Sequence, residues 1–101
     1  MSEERRLHSR LPLFLTVVWE GAAGKYEART SDVSVGGCFI DSIGQVAVGE
    51  IISFSLELPA GEWLNVQGEV MYPLPPTGFG VRFTNLSDAD QSRLEALTNA
   101  L

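Results

Sequence analysis

Residues 51–58 read Ile51-Ile52-Ser53-Phe54-Ser55-Leu56-Glu57-Leu58. Ile52, Phe54, Leu56 and Leu58 fall on one face of an extended chain, and Ser53, Ser55 and Glu57 fall on the other. That is the period-two pattern of a strand buried on one side. The pattern recurs downstream. Residues 62–72 place Leu64, Val66, Val70 and Tyr72 on one side and Asn65, Gln67 and Glu69 on the other. Residues 78–84 place Phe79, Val81 and Phe83 inward and Gly80, Arg82 and Thr84 outward. Upstream, residues 13–19 (LFLTVVW) are rich in β-branched and aromatic types, residues 26–31 alternate weakly, and Phe39 and Ile40 anchor a short strand after a glycine pair. Turn residues separate these runs: residues 20–24, a loop over 43–49 with Gly44 and Gly49, Pro59-Ala60-Gly61, and Pro73, Pro75 and Pro76.

The period changes at the end. Ser87-Asp88-Ala89-Asp90 supplies an N-cap with a carboxylate three residues on, and Leu94, Leu97 and Leu101 recur at helical spacing. Six short strands close into a barrel more readily than they form an open sheet, because closure removes exposed edges. The expected fold is mainly β: a six-stranded antiparallel barrel, a flexible N-terminal arm, and a C-terminal α-helix whose leucines cover one opening.

The chain has 101 residues, the size of one domain. Hydrophobic residues at 45% and charged residues at 20% are ordinary globular values and argue against disorder. The expected division is a single domain over 1–101, with an arm at 1–11, a barrel at 12–86 and a helix at 87–100. A chain this short has room for a sensor and none for an output, so its effect is expected to pass through another protein. The net charge of −6 disfavours a general nucleic-acid binder, which needs a basic surface. The basic residues are uneven, however. Arg5, Arg6 and Arg10 lie within the first ten residues, and the remaining ninety-one carry eleven acids against four bases.

Cys38 is the only cysteine, so no internal disulfide and no thiolate metal site can form. Between Gly37 and Phe39 it reads as a small buried strand residue. No apolar run approaches the roughly 20 residues of a membrane span, and no signal-peptide apolar region follows the charged start. The expected setting is the cytoplasm. His8, the only histidine, sits among arginines with no orienting carboxylate or nucleophile at a nameable spacing.

Two segments stand out. Arg5-Arg6-Leu7-His8-Ser9-Arg10 concentrates three guanidinium groups, which bind phosphate oxygens bidentately and hydrogen-bond to guanine edges. Asp32-Val33-Ser34-Val35-Gly36-Gly37 has the spacing D-x-S-x-x-G at a strand junction. A carboxylate there can accept from guanine N1–H and N2–H₂, a hydroxyl can donate or accept, and glycine permits close backbone approach. The plainer reading is a turn built by Asp32 and Ser34.

Together, an R-x-x-x-R arm and a D-x-S-x-x-G bend about twenty residues later resemble the PilZ domains, bacterial receptors for the second messenger cyclic di-GMP. The resemblance extends over nearly the whole chain, through Asp32 to Ile40, residues 48–59, Gly68-Glu69-Val70-Met71-Tyr72, and residues 78–87 with the helix that follows. It implies a non-enzymatic receptor with no metal or other cofactor. Arg6 and Arg10 would contact phosphates and guanine, Arg5 would help hold a second, intercalated ligand molecule, Asp32 and Ser34 would read a guanine edge, and Gly37 would admit the ligand to the backbone. Tyr72 stands where tryptophan is common in the family, and core packing is the reading for it here. No motif residue is missing, unlike in the family's non-binding members. The implied partners are cyclic di-GMP and an unidentified effector protein, with no long nucleic acid and no membrane span, the chain acting as a monomer or a homodimer. The alternative is a ligand-independent interaction adaptor for motility or secretion machinery, with outward-facing Trp63 in a partner-binding patch.

Overall fold

Alternating side chains bury one face of each strand only if the sheet curls around those faces, and it does so here. A computed structural model describes residues 11–99. Its strands are β1 (Leu11–Pro12), β2 (Thr16–Gly21), β3 (Gly24–Val33), β4 (Gly37–Asp41), β5 (Ile51–Glu57), β6 (Trp63–Leu74) and β7 (Gly78–Thr84), followed by helix α1 (Asp88–Asn99). Every pairing is antiparallel, in the order β3-β2-β5-β6-β7-β4, and β4 pairs back onto β3 to close a six-stranded barrel. The two residues of β1 add to β3 beside that ring. Arg5, Arg6 and Arg10 lie outside the described residues, as does Leu101.

The interior holds the alternating residues. Val17, Trp19, Ile40, Ile52, Leu56 and Val70 are fully buried and belong to one cluster. Trp19 stacks on Tyr26 with ring centroids 4.6 Å apart, meets Phe79 edge-on at 5.0 Å, and donates its indole N–H to Ser42 Oγ at 3.1 Å. Its polar group is therefore satisfied where the ring is buried. Cys38 is fully buried, as its strand setting indicates.

The strand expected over 13–19 starts only at Thr16. Buried Thr30 holds residues 13–15 in another way: its hydroxyl accepts from Leu15 N–H at 2.9 Å and donates to the Leu13 carbonyl at 2.7 Å. That side-chain staple replaces part of the ladder, and Ser31 is left over as an extra residue between the Thr30–Ile40 and Asp32–Phe39 pairs. A second extra residue, Met71, sits in β6 between the Val70–Val81 and Tyr72–Gly80 pairs. Each bulge reverses which face the following residues occupy. Tyr72 is therefore turned out of the core, 42% exposed, and not packed inward as the alternation indicates. β6 also continues through Pro73 to Leu74, past the proline expected to end it.

Ser87 caps α1 as its sequence indicates, its Oγ accepting from Asp90 N–H at 3.1 Å. Asp88 and Asp90 complement the positive end of the helix. Leu94 is fully buried in the barrel cluster, and Leu97 packs against it.

These two features of α1 should separate in energy. Leu94→Ala should cost about 2–5 kcal/mol, because it removes buried methyl groups and leaves a cavity. Ser87→Ala should cost about 1 kcal/mol, because it removes only a cap. Urea unfolding of both variants measures the difference; similar costs would mean that α1 does not close the core.

Candidate functional site

The two bulges act on the same place. After Ser31, Asp32 faces outward beside Phe39, and after Met71, Tyr72 faces outward beside Gly80. With Pro12 paired to Asp32 and Phe39 paired to Gly80, the outer face carries one row across five strands: Pro12, Asp32, Phe39, Gly80, Tyr72. Phe39 is shielded from water yet does not belong to the interior cluster. Its ring centre lies 6.1 Å from that of Tyr72. The Tyr72 ring covers Gly80 so closely that a Cβ on that glycine would overlap it.

The next outward row runs from Gly37 to Arg82 to Glu69 to Ile51. Between the two rows lies a cleft of about 450 Å³ lined by Ser34, Gly36, Gly37, Met71, Tyr72, Val81 and Arg82. Ser34, Gly36 and Gly37 of the D-x-S-x-x-G segment thus meet an aromatic ring and a guanidinium from two other strands, while Asp32 is not among the lining residues. Arg82 Nη2 lies 2.6 Å from Glu69 Oε1.

Within the motif, the structure assigns different surroundings to each residue. Ser34 is buried, and its Oγ accepts from the N–H groups of Gly36 at 3.1 Å and Gly37 at 3.2 Å and donates to the Gly37 carbonyl at 3.3 Å. A hydroxyl has one donor and two acceptor sites, and all three are used in this loop. The backbone closes the same loop, Ser34 N–H donating to Gly37 O at 2.8 Å and Phe83 N–H to Gly36 O at 2.9 Å. These bonds are the Ser34 part of the turn that the sequence offers as its plainer reading. Gly37 is required by β7: a Cβ there would overlap the Val81 carbonyl oxygen. Asp32 is half-buried on the outward row.

The arginine-rich segment lies outside the described residues, but its point of attachment does not. Leu11, directly after Arg10, pairs with Val33, and Pro12 pairs with Asp32. The chain therefore enters the fold beside the motif. Sequence reasoning missed Arg82 and misassigned Tyr72. Both come from strands distant in sequence: the β6 bulge conceals the outward turn of Tyr72, and the β4–β7 pairing that sets Arg82 beside Gly37 is long-range. Among the described residues, no helix is long and apolar enough to cross a membrane.

Comparison with known proteins fits this geometry. The PilZ domain family model matches residues 4–100. No curated protein matches. Similar solved structures include the Bacillus subtilis inhibitor of motility MotI/DgrA, at 16% identity and a TM-score of 0.77, covering 95% of this chain and 50% of that one. This chain thus spans half the length of that protein. Another is the PilZ domain of CeSA from a cellulose-synthesizing bacterium, at 17% identity and a TM-score of 0.69, covering 90% of this chain and 96% of that one. A third is the PilZ domain, with c-di-GMP, of YcgR from Escherichia coli, at 14% identity and a TM-score of 0.75, covering 95% of this chain and 93% of that one. At these identities the structural likeness is one of fold. The family match, by contrast, runs through the barrel, the 34–37 loop and the capping helix, and the chain belongs to the PilZ domain family.

Proposed function

We propose that this protein is a non-enzymatic receptor for cyclic di-GMP in the bacterial cytoplasm, with the arginine segment that precedes β1 as a ligand-clamping arm on the barrel. The observation that carries this reading is the attachment of the arginine segment beside Asp32, two residues before Ser34 of the cleft formed by the 34–37 loop, Tyr72 and Arg82. Family membership and the c-di-GMP in the YcgR structure support it.

In this reading Arg6 and Arg10 close over the ligand and contact its phosphates and guanine. Arg5 helps hold a second, intercalated molecule. Asp32 accepts from guanine N1–H and N2–H₂. Ser34 and Gly37 shape the loop against which the ligand sits. Tyr72 presents a ring face at the other side of the cleft. The ligand carries two negative charges, so the arginines are drawn onto it, and ordering the arm changes the surface offered to an effector. The acidic body repels long nucleic acids, leaving the arm as an attractive site for a compact dianion. The MotI neighbour, an inhibitor of motility, makes motility machinery a candidate output.

A second reading, a ligand-independent adaptor, rests on Trp63, which is 43% exposed at the start of β6. Titration with cyclic di-GMP separates the two. A rise in the thermal unfolding midpoint supports the receptor, and no response at high micromolar ligand supports the adaptor.

Charge-assisted hydrogen bonds contribute about 1.5–3 kcal/mol each. Arg6→Ala and Arg10→Ala should therefore each weaken binding on the order of tenfold to a hundredfold in calorimetry. Wild-type affinity in both variants would refute the arm's role. Ser34→Ala should act differently. By leaving two loop N–H groups without their acceptor, it should lower stability by about 1–3 kcal/mol in urea unfolding as well as weaken ligand binding. Unchanged stability would show that the hydroxyl does not hold the loop.

A further inference from the structure

The site as proposed takes its positive charge from residues 5–10. Arg82 is a cation from outside both motifs. It stands on the outward side of β7, in register with Gly37 on β4 and Glu69 on β6. Gly37 has no side chain, so on that side the guanidinium borders the cleft directly. On the other side its Nη2 is held 2.6 Å from Glu69 Oε1. The two side chains are 56% and 31% exposed, so water reaches both partners. An ion pair of that exposure is weak and readily exchanged. The contact engages Nη2 of a planar fork that carries five donors and matches the oxygens of a phosphate. Because the present occupant is a carboxylate, the group suited to replace it is another oxyanion.

We propose that Arg82 is an additional phosphate-binding residue of this cleft and that Glu69 is its built-in competitor. On binding, a ligand phosphate takes the guanidinium from Glu69, and the affinity gained is the difference between the two anions. This inference rests on the cyclic di-GMP reading and adds to it a residue that neither motif contains. It makes Glu69 a negative determinant of affinity. The two halves of one ion pair should then have opposite effects when removed, whereas a purely structural pair would lose affinity on both sides.

Calorimetry with cyclic di-GMP on the full chain tests this, with urea unfolding as the control for folding. Glu69→Gln should bind about twofold to fivefold tighter than wild type, as expected for loss of a half-exposed ion pair. Arg82→Gln should bind about tenfold weaker, with a shallower fall of affinity as salt is raised. Arg82→Lys keeps the charge without the fork, and should fall between wild type and Arg82→Gln. In the Arg82→Gln background, Glu69→Gln should give no gain, because Glu69 acts through Arg82. If wild type binds and Arg82→Gln binds equally well, or if both single variants weaken binding, the Arg82 proposal is overturned and the receptor reading stands. If wild type does not bind the ligand, the receptor reading fails and the role of Arg82 falls with it.

Discussion

A carbonyl oxygen occupies the space where a side chain at position 37 would begin. A Cβ on Gly37 would overlap the Val81 carbonyl, and one on Gly78 would overlap the Ile40 carbonyl. β4 and β7 therefore meet only because hydrogen is the side chain at both positions. This seam helps complete the ring, since β4 is the strand that joins β7 to β3. On its inner side, Cys38, Ile40, Phe79 and Val81 are each 1% exposed or less. On its outer side, the glycines leave bare backbone, with Tyr72 laid over Gly80 and the cleft opening at Gly36 and Gly37. One steric constraint thus seals the core on one face and hollows the surface on the other.

Much of the fold is legible in the sequence because a strand buried on one face writes its period into the chain. Residues 51–58 and 78–84 follow that period without interruption, and their inward side chains are buried. The helix cap at Ser87 is legible for a similarly local reason: the donor and acceptor lie three residues apart. Asp32 and Tyr72 are less legible because each follows an inserted residue, at Ser31 and Met71, that reverses the face. Nothing local announces either bulge. The first lies beside Thr30, which bonds to Leu13 and Leu15, more than a dozen residues earlier. The candidate site is legible only in part for the same reason. Its motif is continuous in sequence, whereas Tyr72 arrives through the register that the β6 bulge sets and Arg82 through the long-range pairing of β7 with β4.

The bulges also show how the barrel surface acquires an outward row of Asp32, Phe39 and Tyr72 without a long loop. Strict alternation would put Asp32 on the same side as Thr30, in the core, where an ionised carboxylate is costly unless paired and hydrogen-bonded. One extra residue in β3 moves it outward beside Phe39, and one extra residue in β6 brings Tyr72 to the same row. Both side chains are carried by paired strands, so their spacing is set by the ladder and not by a flexible segment. Under the proposed function, this gives a rigid floor of defined shape, and the arginine segment supplies the adjustable part.

The D-x-S-x-x-G segment then divides by physical role. Ser34 spends its full hydrogen-bonding capacity on the loop, and Gly37 yields its side-chain space to Val81. A substitution at either position disturbs the backbone that lines the cleft, so a loss of binding there follows from the scaffold alone. Asp32 differs: it lies on the outward row, one residue before the buried Val33 and directly beside the strand that leads back to Arg10. Of the three motif positions, Asp32 is the one whose side chain stands on the outward row, and under the proposed function it is the position that meets the base.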